Sequence, residues 1–180
     1  QPNVGREVVV RVVHEHRAND PAFIRRFDAE AQAVAALEHS HIASVYDYWR
    51  EPGRAYVVTR FLRGGSLREL IDRSGELPHE RAIRILEQVA SALATAHRRG
   101  IAHGDLQPSN ILFDEEGNAY LTDFSIGTGS VPMDDDIRAF AALTREAVGE
   151  RLPMGVGEAL RRAETAQPPS QVMTLLPELV

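Results

Sequence analysis

The chain has 180 residues, 43% hydrophobic and 26% charged, a composition that supports one globular domain with a sizeable core. It contains no cysteine, which excludes a disulfide framework and thiolate metal sites and fits a reducing compartment, so a cytoplasmic location is expected. A net charge of −6 argues against nucleic acid, and no apolar run reaches the ~18 residues of a membrane span.

The β-branched run Val8-Val9-Val10-Arg11-Val12-Val13 predicts a buried strand. Asp20 is suited to cap a helix and Pro21 to open it. Phe23, Phe27, Val34 and Leu37 then recur at mostly helical spacing, so an amphipathic helix is expected over 21–38. Strands are expected over 42–49 and 55–61, around a turn at Glu51-Pro52-Gly53. Ser66 caps a short helix to about Asp72, and Pro78 opens a longer one that stops at Gly100. Ile111–Phe113 and Ala119–Leu121 flank Glu116-Gly117-Asn118 as a hairpin. Asp134, Asp135 and Asp136 start a helix that runs to Val148, with Gly149 as its stop, and further helices are expected near 157–165 and from Ser170. Strands and one helix followed by helices argue for an α+β fold with two lobes.

The densest chemical pattern is Ala102-His103-Gly104-Asp105-Leu106-Gln107-Pro108-Ser109-Asn110-Ile111-Leu112, followed by Leu121-Thr122-Asp123-Phe124-Ser125. A carboxylate, an amide five residues on, and a second carboxylate beyond a hairpin can converge. Their oxygens are hard ligands suited to Mg²⁺ and bound phosphates, and a carboxylate can accept a hydroxyl proton.

These stretches resemble the catalytic loop and Asp-Phe-Gly element of protein kinases, in the style of actinobacterial serine/threonine kinases. The resemblance implies Asp105 as the base, Asn110 and Asp123 as magnesium ligands, and His103 and Phe124 as a packing pair. It also places Arg11 at the strand-lysine position and Glu30 as its ion-pair partner. Gln107 falls at the catalytic-loop lysine. Val9, Thr59, Phe61, Leu62 and Leu112 fall around adenine, with Thr59 as gatekeeper, and Asp136 anchors the catalytic loop. The implied fold is kinase-like and α+β. Residues 1–62 form a truncated N-lobe of about three antiparallel strands plus helix C, and 63–180 form a shortened helical C-lobe.

The chain departs from that family in a consistent way. The seven residues ahead of Val8 hold no match to the first two strands and the Gly-rich phosphate loop, which the resemblance leads one to expect there. Both lysine positions are changed, to Arg11 and Gln107, and arginine is not a compact ammonium. Only residues 125–135 separate Phe124 from Asp136, with no Ala-Pro-Glu, and the arginine that would pair with that glutamate is Gln167. Gly104 replaces the arginine that holds a phosphorylated activation loop, and Val9 adds bulk to the adenine ceiling. Ser125 replaces a glycine and stiffens the metal-ligand turn.

The expectation is therefore a pseudokinase, a regulatory or scaffolding protein-binding module with weak or no ATP binding. An active phosphotransferase of the protein or aminoglycoside type, using Mg-ATP, is the alternative. A piece of a longer protein whose phosphate loop lies upstream is a third reading, and the chain does open on Gln1. A sheet without its first strands leaves an open edge, expected to be covered by a protein partner or a second copy. His14, His16, His39 and His41 are read as surface or packing residues, and Tyr46, Tyr48 and Trp49 as core aromatics. The arginine pairs at 25–26, 98–99 and 161–162 are read as solvated helix faces.

Overall fold

The computed structural model describes residues 5–13, 20–129 and 131–148. In chain order these form β1 (Val8–Val13), α1 (Pro21–Ala35), β2 (Val45–Glu51), β3 (Arg54–Arg60), α2 (Leu67–Ser74), α3 (His79–Arg98), β4 (Ile111–Phe113), β5 (Ala119–Leu121) and α4 (Met133–Val148). A one-turn 3₁₀ segment, Pro108–Asn110, precedes β4. The first three strands make an antiparallel sheet in the order β1-β3-β2, and β4 and β5 make a separate hairpin. His14, His16, Gly149, Arg161, Arg162, Gln167 and the two C-terminal helices expected from the sequence lie outside the described residues.

Local chemistry sets most of these boundaries. The Asp20 carboxylate accepts the Ala22 N–H at 2.9 Å, and Pro21 takes the first helical position. One face of α1 then buries Phe23, Phe27, Ala31 and Val34. The helix ends at Ala35, short of residue 38, yet Leu37 stays in the core. Ser66 and Glu69 form a reciprocal capping box at the start of α2, satisfying two otherwise orphaned N–H groups. The long helix α3 carries Ala82, Ile85, Leu86, Val89, Leu93 and Ala96 through the middle of the core. Each such large aliphatic side chain contributes roughly 1.5–3 kcal/mol by leaving water. The Ala119 N–H donates to the Gln88 side-chain oxygen at 2.8 Å, which ties β5 to α3.

Three expectations need correction. β1 is not a buried strand: Val8, Val10 and Val12 are 41%, 49% and 41% exposed, while Val9, Arg11 and Val13 face inward and are half-buried. The reason is that alternate side chains point to opposite faces and only one face of β1 meets the core. Tyr46 and Trp49 are exposed as well. A register shift between Val45 and Asp47 breaks the alternation of β2, so Tyr48 alone of the three packs inward, edge-on to Phe27 at 6.3 Å. Trp49 stacks instead on Tyr56 at 4.8 Å. Finally, β2 begins at Val45 and not at residue 42, because the preceding residues bond to β5. Ala43 N–H donates to the Leu121 carbonyl at 2.8 Å, and Leu121 N–H donates to that of His41 at 2.9 Å. This short bridge joins the sheet half of the molecule to the hairpin that carries the candidate site.

Candidate active site

Two loops meet beneath the three-stranded sheet: residues 102–110, between α3 and β4, and residues 122–129, after β5. Asp136, in the first turn of α4 and 1% exposed, holds the first loop. Its carboxylate accepts the His103 N–H at 2.7 Å, the Gly104 N–H at 2.8 Å and His97 Nε2 at 2.7 Å. Burial alone would raise the Asp136 pKa, but the bonds from His97, Gly104 and His103 hold it below the usual carboxylate range. His97 was not singled out in the sequence. Its place at the last turn of α3, six residues before His103, is the only trace there of its role.

His103 joins the two loops. It is fully buried, its Nε2 donates to the Thr122 carbonyl at 2.8 Å, and its Nδ1 accepts the Asp105 N–H at 3.3 Å. One donor and one acceptor define a neutral ring, and burial lowers its pKa accordingly. The ring lies 4.6 Å from that of Phe124, so these two residues do pack together.

The candidate catalytic residues converge, but on one another. Gln107 Nε2 donates to both oxygens of Asp105, at 3.0 and 2.9 Å. Asn110 Nδ2 donates to the Asp105 carbonyl at 2.8 Å and to its Oδ2 at 2.9 Å. Asp123, in a left-handed backbone conformation with φ of 58°, presents Oδ1 to Arg11 Nη1 at 3.1 Å. Both side chains of that ion pair are about a third exposed, so it is worth only ~0.2–1 kcal/mol.

Arg11 therefore does not pair with Glu30. The Glu30 carboxylate instead accepts the Gly127 N–H at 2.5 Å. The loop after Phe124 turns up under α1 to make this bond, and only glycine fits there. The φ at Gly127 is 85°, and an added Cβ would lie 2.4 Å from the Phe23 ring. Gly127 as a partner for Glu30 was not legible in the sequence.

Of the residues expected around adenine, Thr59 and Leu62 are buried, Val9 and Leu112 are half-buried, and Phe61 is 43% exposed. Leu62 packs with Ala43 and Tyr120, and Leu112 covers that cluster. Arg11, Val57, Thr59, Asp123 and Phe124 line a cavity of about 20 Å³, which Val9, Phe61, Leu62 and Leu112 do not line. That is space for about one water. Among the described residues His39 and His41 join no cluster of metal-ligating side chains. His39 Nε2 meets Ser91 Oγ at 3.1 Å and His41 Nδ1 meets the Ala119 carbonyl at 2.9 Å.

The residues present fit Mg-ATP only in part. Magnesium requires oxygens from Asp123 and Asn110. Asn110 donates through its amide nitrogen, which leaves its oxygen and Asp123 Oδ2 as the atoms that would hold the ion, while Asp123 Oδ1 faces a guanidinium. All 20 Lys and Arg residues of the chain are arginine, so no lysine ammonium is present to grip a phosphate. No helix among the described residues is long and apolar enough to cross a membrane.

Comparison with known proteins identifies the family. The family model for the protein kinase domain matches residues 2–138. The chain is 43% identical over 123 residues to the serine/threonine-protein kinase PrkC of Bacillus subtilis, covering 68% of this chain and 19% of that protein. It is 41% identical over 128 residues to the serine/threonine-protein kinase PknA of Mycobacterium tuberculosis, covering 68% of this chain and 30% of that one. The chain thus spans less than a third of the length of these relatives. The crystal structure of a single-site mutant of the Mycobacterium tuberculosis PknI kinase domain superimposes with a TM-score of 0.65 at 28% identity, covering 75% of this chain and 60% of that one. Sheet, helices and loops are those of a serine/threonine kinase-like domain, and the chain belongs to the protein kinase family.

Proposed function

We propose that this kinase-family domain is a pseudokinase: a regulatory or scaffolding module in signalling that binds a protein and holds Mg-ATP weakly or not at all. The observation that carries the reading is that the site satisfies itself. Asp105 accepts from Gln107 and Asn110, and Asp123 from Arg11. These bonds occupy both oxygens of the candidate base, one oxygen of Asp123 and the Arg11 cation, all of which phosphoryl transfer would use. Losing one electrostatic stabiliser typically costs ~10²–10³ in rate, and here both lysine positions are changed. We further propose that the edge of β1, which has no second neighbouring strand among the described residues, receives an extended strand from a partner protein, with Val8, Val10 and Val12 beside it as the apolar contact.

The direct test is phosphotransfer from γ-labelled ATP, with Mg²⁺ or Mn²⁺, to the domain itself, to Ser/Thr peptides and to aminoglycosides. The expected result is no transfer above that of the Asp105→Asn variant. Turnover that Asp123→Asn abolishes would establish an active phosphotransferase in its place.

A further inference from the structure

A second cavity, of about 240 Å³, lies on the other side of α1, between that helix, the residues just before His103 and the loop after Phe124. Its wall is made by Glu30, Ala33, Ile101, Ala102, Ser125 and Val131. Glu30 is half-buried there, and its one hydrogen bond is with a backbone amide, that of Gly127. Among the described residues it forms no ion pair: Arg11 is engaged by Asp123, and Arg26, one turn earlier on α1, makes no salt bridge with it. A carboxylate has about four acceptor positions, and a partly buried one gains most from a cation that also donates hydrogen bonds.

We infer that this cavity is a binding site for a small organic cation, an alkylammonium or alkylguanidinium group, with Glu30 as its counter-ion and the Ser125 hydroxyl as a second polar contact. The remaining walls are short apolar side chains, which suit a few methylene groups. The volume is below the ~300 Å³ at which drug-sized pockets begin, so the body of the ligand is short. No aromatic ring among the described residues lines the cavity. That disfavours a quaternary ammonium, which is held by ring faces, and favours a head group with N–H donors. An anion is excluded by Glu30 itself. The same head group is carried by a free amine and by a lysine or arginine side chain of a partner protein.

This inference deepens the pseudokinase reading, since it rests on Glu30 standing free of Arg11. The test is titration of the nucleotide-free domain, followed by amide shifts of Ala102 and Gly127, with n-butylammonium and n-butylguanidinium against n-butanol and butyrate. The cations are expected to give saturable shifts, weakened at least about tenfold by Glu30→Gln, which keeps an acceptor for Gly127 but removes the charge. Ala33→Leu fills the space without touching the acid and is expected to abolish binding. It serves as the decisive variant if Glu30→Gln does not fold. Tripeptides Gly-Lys-Gly and Gly-Arg-Gly separate the sources: binding as tight as the free amines identifies a partner side chain, and their exclusion identifies a small molecule. Equal shifts from n-butanol, or cation binding unchanged in a folded Glu30→Gln or Ala33→Leu domain, would overturn the site. Silence toward all amines in a domain that also refuses ATP would remove this site and leave the pseudokinase reading standing.

Discussion

Gly104 and Ser125 stand where the kinase resemblance has arginine and glycine, and they are steric partners. Gly104 has a φ of 79°, and an added Cβ would lie 2.9 Å from Ser125 Cβ and 3.1 Å from Val131 Cγ2. Restoring the arginine alone, as Gly104→Arg, is expected to destabilise the domain by about 1–3 kcal/mol through overpacking. Adding Ser125→Gly should recover part of that loss, and denaturant unfolding of the four chains of the cycle measures it. Strictly additive effects would refute the coupling. The sequence showed both departures but not their connection, because nothing local says that residue 125 folds back onto residue 104. The pH response belongs to this scale too. Burial keeps His103 neutral in the fold, with its pKa below the usual 6.5. Above about pH 6.5 the ring is neutral in the folded and unfolded chains alike, and stability is complete. As pH falls below that, the unfolded chain takes the proton first, and stability declines by up to ~1.4 kcal/mol per pH unit for each such histidine. His39 adds to the same trend, its pKa being lowered by burial, His41 and Arg98, while Asp136 and Asp114 contribute only below about pH 4. Unfolding midpoints between roughly pH 7 and 5 should fall, and fall less steeply in His103→Gln; an unchanged slope in that variant would contradict the assignment.

Among the elements, those with strong local chemistry were readable and those defined by their neighbours were not. Asp20-Pro21 and Ser66-x-x-Glu69 carry their own caps, and α1 and α2 start where these say. β1 was misjudged because a run of valines has the same pattern in a central strand as at an edge. Only the order β1-β3-β2 shows that its outer side has no strand among the described residues. Tyr46 departs from expectation because one register shift in β2 cancels the alternation that a strand pattern assumes, and Trp49 because consecutive residues such as Tyr48 and Trp49 point to opposite faces. The edge has a measurable consequence. In the isolated domain, the alternate β1 amides that face away from β3 should exchange hydrogen rapidly while the others stay protected. A partner strand, or a second copy at higher concentration, should slow that exposed set, and Val10→Lys should prevent it. Uniform protection of β1 in dilute solution would show that the edge is already covered.

On the scale of the molecule, the kinase frame is present, while both lysine positions of the resemblance carry other residues, Arg11 and Gln107. Asp136 fixes the catalytic loop, His103 and Phe124 pack beneath it, and His41–Ala43 join sheet to hairpin. Asp136, His103 and Phe124 are legible because each sits in a short motif of the kinase resemblance, whereas the His41–Ala43 bridge is not, since residues 42–44 read as part of β2. The partners of the two acids were not legible. Whether Arg11 reaches Asp123 or Glu30 depends on how a left-handed Asp123 and the Gly127 turn position two loops in space. The Arg11–Asp123 bond is weak enough that a well-held nucleotide would displace it, so the decisive matter is whether anything else here holds one. Titration with ATP, with and without Mg²⁺, followed by melting temperature, measures this directly. The predicted result is no shift at ATP concentrations that saturate active kinases. A saturable rise of several degrees that requires Mg²⁺ and disappears in Asp123→Asn would mean a working nucleotide site and would contradict the account.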